Sequence, residues 1–175
     1  MKWSKLKKLA EDLLADSLKK RIQYHVTQYA RDSYTMSRGW ITLDKKEIVN
    51  FSMVEWLWQR GDLVRQIGAI NQDSDNKDHH QQSAYYDKWA QAEDVLQKEG
   101  VFSRDQFYDG LEEYIKLSIE EALNSDNPII QAIAMFDRRC GIRRLEALRL
   151  PDTVAKMIKD FYLIRCEAEG INPVW

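Results

Sequence analysis

Apolar residues at helical spacing open the chain. Trp3, Leu6, Leu9, Ala10, Leu13 and Leu14 recur with lysines and acids between them, the pattern of an amphipathic helix. Because Glu11 and Asp12 interrupt its basic face, packing on a sheet of the same chain is favoured over lying on a membrane. From Lys20 the period changes to two: Ile22, Tyr24, Val26 and Gln28 alternate with Arg21, Gln23, His25 and Thr27. A polar stretch, 31–39, leads to Trp40-Ile41-Thr42-Leu43, and Asp44-Lys45-Lys46 separates that run from Glu47-Ile48-Val49-Asn50-Phe51. Three antiparallel strands in a meander are expected, the second and third joined by a tight turn. Such a sheet needs a cover for one face, and the first helix is the nearest candidate.

Helical periodicity governs the rest. Ser52 and Glu55 form a Ser-x-x-Glu capping box, flanked by Phe51 and Trp56 as a hydrophobic staple. The helix they start carries Met53, Trp56, Leu57, Val64 and Ile67 on one side, with a break or kink expected near Gly61. The segment 71–82 is polar and reads as a mobile loop. A further helix runs from Ala84 to a stop at Gly100. Ser103 and Gln106 repeat the capping box, and their helix is expected to continue through Leu111, Tyr114, Ile115 and Ala122. Asn127-Pro128 opens another helix, expected to run past Phe136. Pro151-Asp152 opens the last long helix, and Gly170 closes it. The fold class is therefore α+β: an N-terminal helix, a three-stranded antiparallel meander, then a mostly helical C-terminal two-thirds of about five helices. One domain, 1–175, is expected, with helix plus sheet in 1–51 and the helical part in 52–175.

Composition narrows the function classes without selecting one. The chain has 175 residues, 44% hydrophobic and 31% charged, with 26 basic against 28 acidic residues and a formal charge of −2. That balance argues against a protein built mainly to coat nucleic acid. No apolar run approaches the ~20 residues of a membrane span, and the lysine-rich start lacks the apolar segment of a secretory signal. Two cysteines, Cys140 and Cys166, are too few for a disulfide framework. A cytoplasmic location without membrane attachment is the plain expectation.

The candidate chemistry lies in 127–150, where an apolar helix leads into Asp137-Arg138-Arg139 and then Arg143-Arg144. On a continuous helix Ile130, Ile133, Asp137, Cys140 and Arg144 share a stripe, which places Asp137 at the edge of the core. A carboxylate there must be paired. Arg165 extends the apolar stripe of Val154, Ile158 and Phe161 and needs an acid. The favoured reading is a structural ion-pair network of Asp137, Arg165 and Glu167 with the neighbouring arginines. The alternative is an anion site, since guanidinium forks suit phosphate or carboxylate. Catalytic and metal readings are weaker. His25 sits on a strand, facing solvent. His79 and His80 lie near Asp73, Asp75 and Asp78 but lack the pattern of a calcium loop. No histidine accompanies either cysteine as a base, so both thiols are expected to be structural. Trp56 and Trp58 are two apart on a helix, so one of them, Trp58, should be partly exposed, either available to a partner or covering a face left by the small sheet.

Met1-Lys2-Trp3-Ser4-Lys5-Leu6-Lys7-Lys8 and Gly39-Trp40-Ile41-Thr42-Leu43-Asp44-Lys45-Lys46-Glu47-Ile48 resemble an uncharacterised family of bacterial cytoplasmic proteins. So do Asn127-Pro128-Ile129-Ile130, Asp137-Arg138-Arg139-Cys140-Gly141-Ile142-Arg143-Arg144-Leu145 and the tail from Phe161 to Ile171. The family has a basic residue where this chain has Ile142, which weakens an anion site here. The resemblance implies no assigned activity and transfers no functional residues. The expectation is a non-enzymatic interaction module without cofactor or metal. It would dock a protein partner or a second copy around Trp58 and the open edge of the sheet. The alternative is an anion-, phosphate- or nucleic-acid-binding protein using Arg138, Arg139, Arg143, Arg144 and Arg165. A hydrolase built on His79 and His80 stands in reserve.

Overall fold

The computed structural model describes residues 1–27, 29, 36–70 and 80–173. Helix α1 (Trp3–Asp12) leads to a three-stranded antiparallel sheet, β1 (Ile22–Thr27), β2 (Arg38–Leu43) and β3 (Lys46–Ser52), in the order β1-β2-β3. Asp44 and Lys45 join β2 to β3 with both φ angles positive, 49° and 68°, which matches the right-handed twist of the strands. The register shifts by one residue between Ile41 and Thr42, so β3 carries a bulge.

One face of the sheet is covered by α1 and by α4 (Arg104–Tyr114). Tyr24, Ile41 and Phe51 point inward and are fully or almost fully buried with Leu6, Ala10 and Phe107. Phe107 stacks on Phe51 at 4.3 Å and 6°. It lies so close to β2 that a Cβ on Gly39 would come within 2.5 Å of its ring. Gly39 is therefore the bare spot on the strand into which the helix sets its aromatic side chain. The opposite face is more polar. There His25 stacks on Trp40 at 4.9 Å, and the Arg38 guanidinium lies over the same indole at 4.3 Å.

After β3 come α2 (Met53–Ile70) and α3 (His80–Glu99), which pack on each other, then α4, α5 (Ile119–Leu123), α6 (Pro128–Ala134), α7 (Ile142–Ala147) and α8 (Lys156–Glu169). Helices α6 and α8 form the core of the second half, with Phe136 stacked on Phe161 at 4.4 Å. A small separate cluster of Met53, Trp56 and Leu96 holds the base of the α2–α3 pair.

Several boundaries depart from expectation. Helix α2 runs unbroken through Gly61, because the partner helix α3 holds it and the glycine removes no backbone hydrogen bond. Helix α3 begins at His80, four residues before Ala84. The helix expected from Ser103 through Ala122 is two helices. Ser118 and Glu121 form a second capping box that starts α5, a signal identical in kind to that of Ser103 and Gln106, which caps α4. Asn127 caps α6 through its side chain, but α6 ends at Ala134 and does not continue past Phe136. The last helix begins at Lys156, with Pro151-Asp152 in the preceding turn segment. Seven helices thus follow the sheet among the described residues, three of them of seven residues or fewer. Gln28, the stretch 30–35 and most of the expected loop 71–82 lie outside the described residues.

The Gly39 contact is open to test. Gly39→Ala should lower stability by about 1–3 kcal/mol through overpacking, read as a lower urea midpoint at unchanged slope. An unchanged midpoint would mean that Phe107 can shift aside without cost.

Candidate functional site: a buried carboxylate hub and an exposed tryptophan face

Asp137 sits where three segments meet. The backbone of 13–15 runs antiparallel to 136–138: Ala15 N–H donates to Phe136 O at 2.8 Å, and Arg138 N–H donates to Leu13 O at 2.8 Å. This non-local pairing explains why α6 stops. The amide and carbonyl groups that would extend the helix are used across the molecule. The Asp137 side chain favours the same turn by accepting the Arg139 N–H at 2.7 Å, the local bond with which aspartate competes against helix.

The carboxylate is completely buried and fully occupied. Tyr114 Oη donates to Oδ2 at 2.6 Å, and Arg139 donates to the same oxygen from Nε at 2.9 Å and Nη2 at 2.7 Å. The remaining Arg139 nitrogen, Nη1, donates to Leu117 O at 2.7 Å. Burial first, then the charges of Tyr24 and Asp137, push the Tyr114 phenol far above its ordinary range, so it stays a neutral donor. The hydrogen bond to Asp137 raises the Arg139 guanidinium above its usual value. Each charge satisfies the other, as a buried pair must.

Arg165 is almost as deeply buried but meets a different acid. Its Nε donates to Glu169 at 2.9 Å, and Glu169 also accepts from Ser17 Oγ at 2.6 Å. Its outer nitrogens donate to the carbonyls of Asp137 at 3.0 Å and Cys140 at 3.2 Å. Arg165 therefore ties α8 to the backbone of the Asp137 turn and not to its carboxylate. Glu167, expected in this network, is exposed; its place is taken by Glu169, one helical turn beyond Arg165 and so on the same face. Arg144 pairs with Glu120 and donates to Arg139 O. Arg138 and Arg143 are exposed. Of the five expected arginines, three are thus engaged by carboxylates.

The groups considered for chemistry are placed as follows. Cys140 and Cys166 are buried, and burial pushes both thiols up from their ordinary range. Burial, with Lys7 and Arg38, lowers His25, whose Nε2 lies 3.2 Å from Thr42 Oγ1. His79 and its neighbouring acids lie outside the described residues, as does the side chain of His80. Among the described residues no group of three or more histidine, cysteine, aspartate or glutamate side chains could hold a metal ion.

The second feature is the outward face of α2. Its inward face is held by Arg60, whose guanidinium lies 4.4 Å from the Trp56 ring and 4.5 Å from that of Trp89. Arg60 also pairs with Glu93 at 3.1 Å, and Glu93 accepts from Gln106 of α4 at 2.7 Å. These contacts fix the rotation of α2 about its axis. Trp56 is left 8% exposed, and Trp58, two positions on, is 68% exposed. Val54, one turn before Trp58, is also exposed. The sheet edges are less open than the sequence suggested. Glu11 accepts the outward Tyr24 N–H of β1 at 3.3 Å, and Ile48 and Val49 of β3 share a cleft with Gly100, Met157 and Phe161.

Two measurements test the hub. Tyr114→Phe should cost about 1–3 kcal/mol and Arg139→Met about 3–5 kcal/mol, because the latter strands a buried carboxylate; equal and negligible losses in urea denaturation would refute the hub. Alkylation of Cys140 and Cys166 by iodoacetamide should proceed only as fast as the protein opens. A native rate matching that of free cysteine would show the thiols to be accessible.

No curated protein and no solved structure matches the chain. The model of the SF0329 protein family matches residues 2–166, from before α1 to within α8, and so takes in the sheet, the Trp58 face and the Asp137 hub. The chain belongs to the SF0329 protein family.

Proposed function

We propose that the protein is a non-enzymatic interaction module, acting in the bacterial cytoplasm, that docks another polypeptide through the face of α2 bearing Trp58. The observation that carries this reading is the exposure of Trp58, 68%, on a helix whose opposite side is locked by the Arg60 stack. A tryptophan left in water forgoes the burial of its large ring, and tryptophan is enriched at the centres of protein interfaces. The Asp137 hub supports the same reading from the other side. With Arg139, Arg144 and Arg165 committed to carboxylates or backbone carbonyls, little of the arginine cluster is left to grip a phosphate, so the anion- or nucleic-acid-binding alternative has weaker support.

The test compares a tagged chain with its Trp58→Ala variant, each mixed with native lysate and with an untagged copy. A polypeptide retained by the native chain should fall by about tenfold or more with the variant, at unchanged thermal stability. Identical retention by both chains would remove Trp58 as the docking residue.

A further inference from the structure

Resting on that docking reading, we infer that the occupant of the Trp58 face is a second copy of this chain, packed antiparallel, α2 against α2. Positions 54, 58, 61 and 65 recur at spacings of four, three and four, a helix–helix seam on the side of α2 turned away from Arg60. In this chain they are Val54, Trp58, Gly61 and Arg65. The seam holds a large knob, Trp58, and one turn on a bare position, Gly61. A Cβ built on Gly61 would meet nothing within 4 Å, so no neighbour among the described residues requires glycine there. A glycine in the interior of a helix otherwise only weakens it. Its use is to let another body approach the helix backbone.

Knob and hole on one face, three residues apart, complement each other only across a two-fold axis. An axis passing between Gln59 and Arg60 sets each Trp58 on the Gly61 of the other copy, the mutual exchange that an isologous interface requires. The charges agree with this register. Arg65, whose side chain is 73% exposed and pairs with Asp62 of its own helix, then falls over Val54 and beside the exposed Glu55 of the second copy. A parallel arrangement would set Trp58 against Trp58 and Arg65 against Arg65. The seam is short, since in this register the two helices overlap over residues 53–66, about 21 Å. It suits a reversible dimer with a dissociation constant on the order of micromolar, below the range of large obligate interfaces.

Light scattering on the purified chain, from about 1 to 500 µM, should show a concentration-dependent rise to twice the monomer mass. Trp58→Ala should weaken association by at least about tenfold. Gly61→Leu should also abolish it while raising the thermal midpoint by about 2–4 °C, because helix propensity improves where the side chain meets nothing. That opposite sign separates lost docking from lost folding. Arg65→Glu should weaken the dimer and Glu55→Arg added to it should restore it. A chain that stays monomeric throughout, or a dimer indifferent to Trp58→Ala and Gly61→Leu, overturns the second-copy inference. If Trp58 still governs retention of another polypeptide from lysate, only the occupant was wrong; if it governs nothing, the docking reading falls as well.

Discussion

A carboxylate with no access to water has to find its donors inside the protein, and that requirement shapes the second half of this molecule. Asp137 draws the Tyr114 hydroxyl from the end of α4 and both the side chain and the N–H of Arg139. Its own backbone neighbours pair with residues 13–15 beyond α1. Arg165 then spans from α8 to the carbonyls of the same turn while Glu169 and Ser17 complete its shell. The N-terminal helix, α4, the α6–α7 turn and α8 are thus joined at one point by charged and polar groups, inside a core otherwise made of aromatic and aliphatic side chains. Arrangements of this type are costly to break and need not be more stable than an apolar substitute. Their effect is directional, since hydrogen bonds specify one turn geometry where apolar packing tolerates several.

The α2–α3 pair is held differently. Its own apolar cluster is small, and the Arg60 guanidinium between Trp56 and Trp89 provides the orienting contact. A planar cation stacked on indoles and anchored by Glu93 restricts how α2 can rotate. This is what turns Trp58 outward. The exposed tryptophan is therefore a consequence of the same contact that fixes the hairpin, and the two features are linked by the helical offset of two residues.

Legibility in the sequence follows the range of the interaction. The meander was readable because alternation and the Asp44-Lys45 turn are local, and the two capping boxes at Ser103 and Ser118 and the cap at Asn127 act within three residues. The Ser118 box was as visible as the Ser103 box, but the continuous apolar spacing through Leu111, Ile115 and Ala122 concealed it. The need for Asp137 to be paired was also legible, from its position at the end of an apolar run. Its partner Tyr114, 23 residues away, was not. Nor was the choice of Glu169 over Glu167, although the spacing of four from Arg165 was available as a signal.

By itself, the sequence determined the α+β class, the order of helix, meander and helices, and the presence of a charged group that the core could not leave alone. Local periodicity and capping decide such things, because they depend on residues within one or two turns. Only tertiary structure decided where α6 stops and which acid each arginine meets. Those outcomes depend on backbone and side-chain groups brought together from distant parts of the chain. The cost of leaving a buried charge or amide unpaired then outweighs the modest helical preference of the few residues in between.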